Sequence, residues 1–209
     1  MNTTNLFSCF GDIIELDLSK WNLDRTLEIL KNHNGWKQYN PRKDIKRYGL
    51  SVTSLDGGFS GVPDLDSLLE YNKEHNTQLT EKDFTTLTPI VEDIPELANI
   101  VELFGSHTHR SHFLRFDAGG FFPHHRDNGK SLPSQNMRII VPLIDVGGRH
   151  LKWIHDGELT KFNAGIAYCV NTTKDHCIFS FTDNCYMLVL NIQSTTSSVQ
   201  TILNHLAVR

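Results

Sequence analysis

The N-terminal part of the chain alternates between strand-like and helix-like patterns of apolar and polar side chains. Residues 13–18 alternate apolar and acidic positions, which predicts a half-buried strand. Asn22 precedes three leucines at helical spacing, so we expect it to cap a helix that ends near Gly35. Residues 48–55 predict a second strand, which an Asp-Gly-Gly turn closes.

A long polar stretch, residues 60–87, follows these elements. It contains one short helical pattern at residues 65–71. We interpret the stretch as an excursion over the surface that serves either as a lid or as a decorative insertion. Apolar positions from 89 to 104 then recur at helical spacing, which predicts a helix broken at Pro95 with one face packed on a sheet.

After Gly105 the chain consists of short apolar segments punctuated by Gly, Asn, Asp and Pro, a pattern typical of β-sandwiches and barrels. A last amphipathic pattern predicts a helix that covers a sheet edge or forms a contact surface. We therefore predict a mainly β fold with supporting helices (α+β). The predicted strands are residues 112–117, 138–146, 151–154, 166–170, 176–181 and 185–192.

One domain accounts for all 209 residues, because this length suits a single substantial core. Residues 1–105 form a helix-rich support that includes the candidate lid. Residues 106–193 form the β core, and residues 194–209 form the C-terminal helix.

Composition and charge narrow the function classes. Hydrophobic residues make up 39% and charged residues 21% of the chain, as in soluble globular proteins. With a formal charge of -4, the chain lacks the excess of basic residues that is typical of nucleic-acid-binding proteins, so we expect no nucleic-acid partner. The sequence has no apolar run near the roughly 18 residues of a membrane span and no signal-peptide pattern, so we expect no membrane association. The four cysteines form no CxxC pair, which favours a reducing, cytoplasmic location.

The strongest chemical signal is His125-Arg126-Asp127, with His176 as a distant partner. Two histidines and one carboxylate are the ligand set of non-haem Fe(II) centres, which leave coordination positions open. On an extended strand the side chains of His125 and Asp127 project to the same face. A lone His-x-Asp is more often a solvated polar loop, but here a glycine turn precedes the pair, and a polar loop and an apolar strand follow it.

Two further histidine positions need an interpretation. His124 is an alternative to His125, but its spacing to Asp127 places the two side chains on opposite faces of a strand, so we prefer His125. A histidine that begins a strand, as His176 does, is more often structural than ligating; the preceding pair favours a ligand role. A second pair, His107-Thr108-His109, lies in a polar stretch that we interpret as a loop.

From residue 114 to residue 192 the order of motifs resembles the iron- and 2-oxoglutarate-dependent dioxygenases. Within that superfamily it is most similar to the aspartyl/asparaginyl β-hydroxylase and proline-hydroxylase-like branch. The matching elements are the Ala-Gly-Gly turn at 118–120, the His-x-Asp motif, the strand from Arg138 to Leu143 with its Pro-Leu end, and the distal His176. The resemblance implies a double-stranded β-helix (jelly-roll or cupin-like) core in which the two histidines and the aspartate bind Fe(II).

Two positions depart from the branch. The branch has a histidine where this chain has Ile140, and an arginine after the distal histidine where this chain has Tyr186. In the family that late arginine pairs with the far carboxylate of 2-oxoglutarate, a dianion that needs a compensating cation. We assign this role to Arg138. Tyr186 would add a hydroxyl hydrogen bond, and Lys152 is a weaker reserve cation.

The resemblance implies a hydroxylase that uses Fe(II), 2-oxoglutarate and dioxygen to oxidise an unactivated C–H bond, with succinate and carbon dioxide as co-products. The branch suggests an amino-acid substrate, either free or within a peptide. Two hypotheses of other classes remain: a cupin-like metal enzyme that does not use 2-oxoglutarate, and a β-sandwich binding module without a catalytic role. The sequence leaves the substrate and the oligomeric state open.

Overall fold

The structure, a computed structural model, describes residues 3–18, 20–127 and 136–207. The polar loop expected after the His-x-Asp motif, residues 128–135, lies outside these ranges, as do the last two residues of the predicted C-terminal helix. The strands are β1 (Ile13–Leu16), β2 (Lys37–Gln38), β3 (Arg47–Ser51), β4 (Thr53–Ser54), β5 (Thr86–Leu87), β6 (Thr108–Phe116), β7 (Phe121–His125), β8 (Asn136–Pro142), β9 (Leu151–His155), β10 (Glu158–Thr160), β11 (Ala167–Val170), β12 (His176–Ser180) and β13 (Cys185–Gln193). The helices are α1 (Thr3–Phe10), α2 (Leu23–Asn32), α3 (Leu68–His75), α4 (Ile90–Asp93), α5 (Pro95–Phe104) and α6 (Thr196–Asn204), with 3-10 turns at Glu81–Asp83 and Gly105–His107.

Two antiparallel sheets face each other. The larger has the strand order β1-β11-β8-β13-β6-β3-β2, and the smaller has the order β10-β9-β12-β7. From β6 to β13 the chain passes back and forth between the sheets, and β6, β8, β11 and β13 form the centre of the larger one. This strand order is that of a jelly roll. The predicted mainly β fold with a double-stranded β-helix core and supporting helices is confirmed.

The larger sheet is buried on both faces, and β13 shows how. Leu188 and Leu190 belong to the core beneath the helices, whereas Met187 belongs to the core between the two sheets. On a strand covered on both sides, side chains of either face are buried, so apolar residues are favoured at every position. This explains the nearly continuous apolar run of β13.

The first predicted elements are largely confirmed. Strand β1 lies within the predicted range, and the Asn22 side chain accepts a hydrogen bond from the Arg25 backbone N–H at 3.2 Å as the cap of α2. The single strand predicted at residues 48–55 is instead two strands. The chain leaves the large sheet at Val52, which bonds both to Ser111 and to Thr88, and β4 then pairs with β5.

The polar stretch at residues 60–87 is more deeply embedded than predicted. Its helix, α3, begins three residues later than expected, at Leu68, and Leu65 and Phe84 are fully buried on either side of it. Between α3 and Phe84, the 3-10 turn places Glu81 on the lining of a pocket that lies between the two sheets. The interpretation as a purely superficial excursion was wrong, because apolar anchors hidden among polar residues fix the segment to the core.

The helix break at Pro95 is confirmed, since Ile94 is extended between α4 and α5. The C-terminal helix α6 packs Val199 into the core, and Leu206 beyond it bridges to Leu16 on the edge strand β1. This end of the chain therefore covers a sheet edge, one of its two predicted roles.

The first 105 residues also contribute strands to the large sheet. Strand β3 pairs with β6, and β1 pairs with β11, so the large sheet runs without a break across the boundary drawn at residue 105. Within the described part of the chain, no helix is long and apolar enough to cross a membrane.

Candidate metal centre and its pocket

Three side chains with metal-binding atoms converge at one end of the jelly roll. One ligand atom each from His125, Asp127 and His176 lies within 4.8 Å of the other two. Nε2 of His125 is 3.6 Å from Oδ1 of Asp127, and the ring centroids of the two histidines are 4.2 Å apart. The structure thus brings together the three residues that the sequence singled out.

The strand register explains this convergence. His125 is the last residue of β7 and lies directly opposite His176, the first residue of β12. Asp127 follows in a turn, where its backbone N–H donates to the Thr172 carbonyl at 2.9 Å. Asp127 thus lies beyond the end of β7, and a neighbouring loop positions it, so the same-face spacing of an extended strand does not explain the convergence.

Both histidines have one ring nitrogen fixed by the backbone. Nδ1 of His125 donates to the Pro123 carbonyl at 2.7 Å, and Nδ1 of His176 donates to the Lys174 carbonyl at 2.9 Å. Because a carbonyl only accepts, each Nδ1 carries a proton, and Nε2 is the nitrogen that each ring would offer to a metal. Burial also lowers the pKa of His176, which favours its neutral form. Backbone bonds of this kind orient histidine ligands in metal sites.

Asp127 is held ionised by its surroundings. Burial alone would raise its pKa, but the Arg138 guanidinium lowers it below the ordinary value of an aspartate. Nε of Arg138 donates to Oδ2 of Asp127 at 3.1 Å, while Oδ1 is the oxygen nearer His125. One carboxylate oxygen therefore bonds to the arginine and the other faces the histidines.

These residues fit a divalent first-row metal. Two imidazole nitrogens and one carboxylate oxygen form the two-histidine, one-carboxylate set of non-haem Fe(II) sites. Since the described cluster supplies three ligands, a bound metal would retain coordination positions for other molecules.

The cluster opens into a cavity of about 110 Å³ between the two sheets. Its charged residues lie at the metal end, where Arg138 of β8 stands opposite Asn191 of β13. Ile140 and Met187 lie further along the same strands, in the apolar half. The described lining comprises Tyr39, Glu81, Arg110, His112, Leu114, Phe116, Phe122, His125, Asp127, Arg138, Ile140, Trp153, Thr172, His176, Ile178, Met187 and Val189.

Of the three predicted co-substrate residues, the structure places only Arg138 in this pocket. Tyr186 lies on the other face of β13, where its ring packs against Trp36 and its hydroxyl donates to Asn184 at 3.1 Å. Lys152 is exposed on the outer face of β9, with Nζ 5.3 Å from the Phe181 ring. Side chains alternate across a strand, so the neighbours Met187 and Trp153 face the pocket instead. The predictions for Tyr186 and Lys152 were wrong.

The positions of Lys152 and Tyr186 outside the pocket can be tested directly. Because neither side chain reaches the pocket, we expect Lys152→Ala and Tyr186→Phe to leave unchanged whatever affinity the protein has for a divalent metal and for 2-oxoglutarate. Tyr186→Phe loses one hydrogen bond, which costs about 1 kcal/mol of stability or less. Calorimetric titration of both variants checks this, and a tenfold loss of 2-oxoglutarate affinity in either one would restore the original assignment.

The structure also shows where the sequence neighbours of the ligands, His124 and Arg126, and the candidate contact residue Trp153 lie. His124 is exposed, and Arg126 points away from the cluster into a two-bonded ion pair with Asp175, as expected for a residue between two ligands. Trp153 is a wall of the pocket, with its ring parallel to that of His176 at a centroid distance of 5.6 Å.

Sequence reasoning missed several pocket residues. Arg110 and His112 follow the histidine pair that we interpreted as a loop; the structure makes this region the start of β6. Burial, with Arg110 and Arg138 nearby, lowers the pKa of His112 to about 3, so its ring is neutral. The sequence did not indicate that Glu81 lines the pocket, since a glutamate in a polar stretch is ordinarily solvated. The spacing of His109 and His112, three residues apart, does not follow strand alternation, so it gave no indication of the strand.

Comparisons with known proteins add little beyond the fold. No protein-family model and no curated protein match the sequence. Among solved structures, a predicted oxalate decarboxylase from Thermotoga maritima is 13% identical, with a TM-score of 0.33 over 44% of this chain and 73% of its own. An RmlC-like cupin from Shewanella frigidimarina is 14% identical, with a TM-score of 0.30 over 41% of this chain and 67% of its own.

A salicylate 1,2-dioxygenase from Pseudoaminobacter salicylatoxidans is 13% identical, with a TM-score of 0.28 over 44% of this chain. The match spans 22% of that enzyme's length. Likenesses this weak carry no argument about activity. The fold assignment rests on the strand order, and any functional assignment rests on the residues of the pocket.

Proposed function

We propose that this protein is a non-haem Fe(II)- and 2-oxoglutarate-dependent oxygenase that hydroxylates an unactivated C–H bond. The observation that carries the proposal is the cluster of His125, Asp127 and His176 beside a pocket that holds two largely buried arginines at one end and is apolar at the other. The motif order of the dioxygenase superfamily, read from the sequence, supports the same assignment.

The residues of the chain have separate tasks in this proposal. The Nε2 atoms of His125 and His176 and one oxygen of Asp127 would hold the iron. Iron(II), together with 2-oxoglutarate and dioxygen, would supply the oxidising power for hydroxylation and release succinate and carbon dioxide. Trp153, stacked on His176, shields one side of the centre from solvent.

The charged end of the pocket holds the cations that a dianionic co-substrate needs. Arg138 and Arg110 are the arginines in the described lining, and their side chains are 12% and 9% exposed. A guanidinium in such a setting binds a carboxylate more strongly than one in water does. Arg138 takes the role of the late arginine that the sequence lacks.

The apolar wall that adjoins the cluster, where Trp153 stacks on His176 and Ile178 follows two residues later on β12, would receive the part of the substrate that is oxidised. Ile178 and Met187 offer neither charge nor hydrogen bonds, which suits an unactivated C–H group. Following the resemblance to the hydroxylase branch, we propose a small-molecule or peptidyl amino-acid substrate. Free, buried thiols at Cys169, Cys177 and Cys185 accord with the cytoplasmic location that we also propose.

A second candidate function is a metal-binding jelly-roll protein that does not use 2-oxoglutarate. It is favoured by the position of Tyr186, which faces away from the pocket, and by the existing ion pairs of Arg138 with Asp127 and Glu81. In that case Arg138 would serve to hold the aspartate, and neither arginine of the described lining would be free for a co-substrate.

Consumption of 2-oxoglutarate decides between the two. We expect the Fe(II)-loaded protein to convert 2-oxoglutarate to succinate under air, at a low rate without substrate, and to lose this activity when the iron is chelated. Succinate is measured by chromatography, with Lys152→Ala as a matched active control. A protein that binds Fe(II) yet never forms succinate would support the second candidate.

A further inference from the structure

The carboxylate of Glu81 is surrounded by donors from three strands. Nδ2 of Asn136 lies 3.2 Å from Oε2 of Glu81, and both terminal nitrogens of Arg138 lie 3.4 Å from the same oxygen. The Asn191 amide also donates to Oε2, and Nη1 of Arg110 is 3.9 Å from Oε1. Two arginines and two amides converging on one carboxylate form a carboxylate-binding site.

The donors are fixed, whereas Glu81 is the member that can leave. Nε of Arg110 donates to the Asp64 carbonyl at 2.7 Å, and Arg138 is held between Asp127 and Asn191. The Glu81 side chain is 28% exposed and stands on a short turn. Since Phe84 anchors that turn in the core, rotation of the Glu81 side chain alone would vacate the site.

A further polar group near this site has no partner. His112 is 8% exposed and lines the same pocket, and its Nδ1 atom is buried without a hydrogen bond within the described ranges. A buried polar atom without a partner is costly, and a bound ligand would satisfy it.

The carboxylate site adjoins the metal cluster through Arg138. Arg138 contacts Asp127 through Nε and Glu81 through its terminal nitrogens, so the two carboxylates sit on different edges of one guanidinium. A molecule that reaches the metal with one end would place a second carboxylate, a few bonds away, where the Glu81 carboxylate now lies.

We propose that Glu81 is an internal competitor: in the free protein its carboxylate fills a site formed by Arg110, Asn136, Arg138 and Asn191, and the distal carboxylate of the co-substrate displaces it. The proposal rests on the proposed function for the identity of the displacing molecule. The carboxylate site itself does not depend on a metal, which allows the two to be tested apart.

The first experiment uses metal-free protein and glutarate, a dicarboxylate without the keto group that would chelate a metal. Glu81→Gln removes the competing charge but keeps the size of the side chain, so we expect glutarate to bind about tenfold more tightly, equivalent to about 1.4 kcal/mol. Thermal shift against glutarate concentration measures this affinity. Adding Arg110→Gln to Glu81→Gln is expected to abolish the gain.

Two further variants serve as controls for this experiment. Glu92→Gln, at an exposed position of α4, is the matched control and should behave as the unmodified protein. Glu81→Asp retains the charge but shortens the side chain, and a smaller gain is expected from it. If both Glu81 variants unfold, or if glutarate binds to them no better than to the unmodified protein, Glu81 is a structural brace and the proposal is wrong.

The second experiment uses anaerobic, Mn(II)-loaded protein and calorimetric titration with 2-oxoglutarate and 2-oxobutyrate, which lacks the distal carboxylate. Glu81→Gln should tighten 2-oxoglutarate about tenfold and leave 2-oxobutyrate unchanged. If glutarate binding improves but neither keto acid binds, the carboxylate site stands and the proposed function fails. If both keto acids bind but Glu81→Gln affects neither glutarate nor 2-oxoglutarate, the internal-competitor proposal fails and the oxygenase assignment stands.

Discussion

Substitution of Asp127 by asparagine is expected to weaken Fe(II) binding by more than about 100-fold and to abolish succinate formation. The loss of an outer hydrogen-bond partner alone typically costs a metal site about 10- to 100-fold, and here a charged ligand is removed. Asparagine keeps the shape of the side chain, so the effect reports on the ligand atom and its charge rather than on packing. Metal affinity is measured by titration with Fe(II) under anaerobic conditions.

His124→Ala is the matched control for this prediction. His124 adjoins His125, but its side chain is exposed and no described contact joins it to the cluster. We expect it to bind metal and to form succinate as the unmodified protein does. A large loss of metal affinity in His124→Ala with retention in Asp127→Asn would mean that the ligands are misassigned.

Substitution of Arg138 by glutamine is expected to have the second-largest effect. Arg138 is the cation that balances both Asp127 and Glu81 in a largely buried setting. Breaking a buried ion pair leaves an uncompensated charge and costs about 3 kcal/mol at neutral pH. We also expect 2-oxoglutarate binding to the Mn(II)-loaded variant to fall below detection, with metal affinity less affected.

The stability loss should depend on pH in metal-free protein. Arg138 holds the pKa of Asp127 below its ordinary value, so the ionised aspartate stabilises the fold above that ordinary value. This contribution is lost as the pH falls from about 4 through the lowered pKa. Urea unfolding should therefore show a large deficit for Arg138→Gln at neutral pH and a smaller one in acid. A deficit that grows in acid would contradict the pairing.

The fold could be predicted from the sequence because the patterns that indicate its strands and helices are local. Short apolar segments separated by turn residues mark six of the eight described strands from β6 to β13, whereas β7 and β10 were not predicted. The Asn22 cap and the break at Pro95 each mark a helix end through one or two residues. The metal cluster was accessible for a related reason. His125 and Asp127 are neighbours in the chain, and the recognisable motif order pointed to His176.

The rest of the pocket was harder to predict, for two physical reasons. β13 is buried on both faces, so its pattern does not reveal that Tyr186 faces the helices while Met187 faces the pocket. Glu81 reaches the pocket through a turn fixed by distant apolar anchors, which no local pattern records. Lys152 could have been rejected, because the apolar Leu151 and Trp153 on either side already place it on the outer face.

The most direct test of the oxygenase assignment is anaerobic addition of Fe(II) and then 2-oxoglutarate, with the visible absorption spectrum recorded. We predict the weak charge-transfer band of a keto acid chelated to iron, present in the unmodified protein and in Lys152→Ala and absent in Asp127→Asn. A spectrum that stays featureless at saturating 2-oxoglutarate, in a protein shown to hold Fe(II), would contradict the assignment.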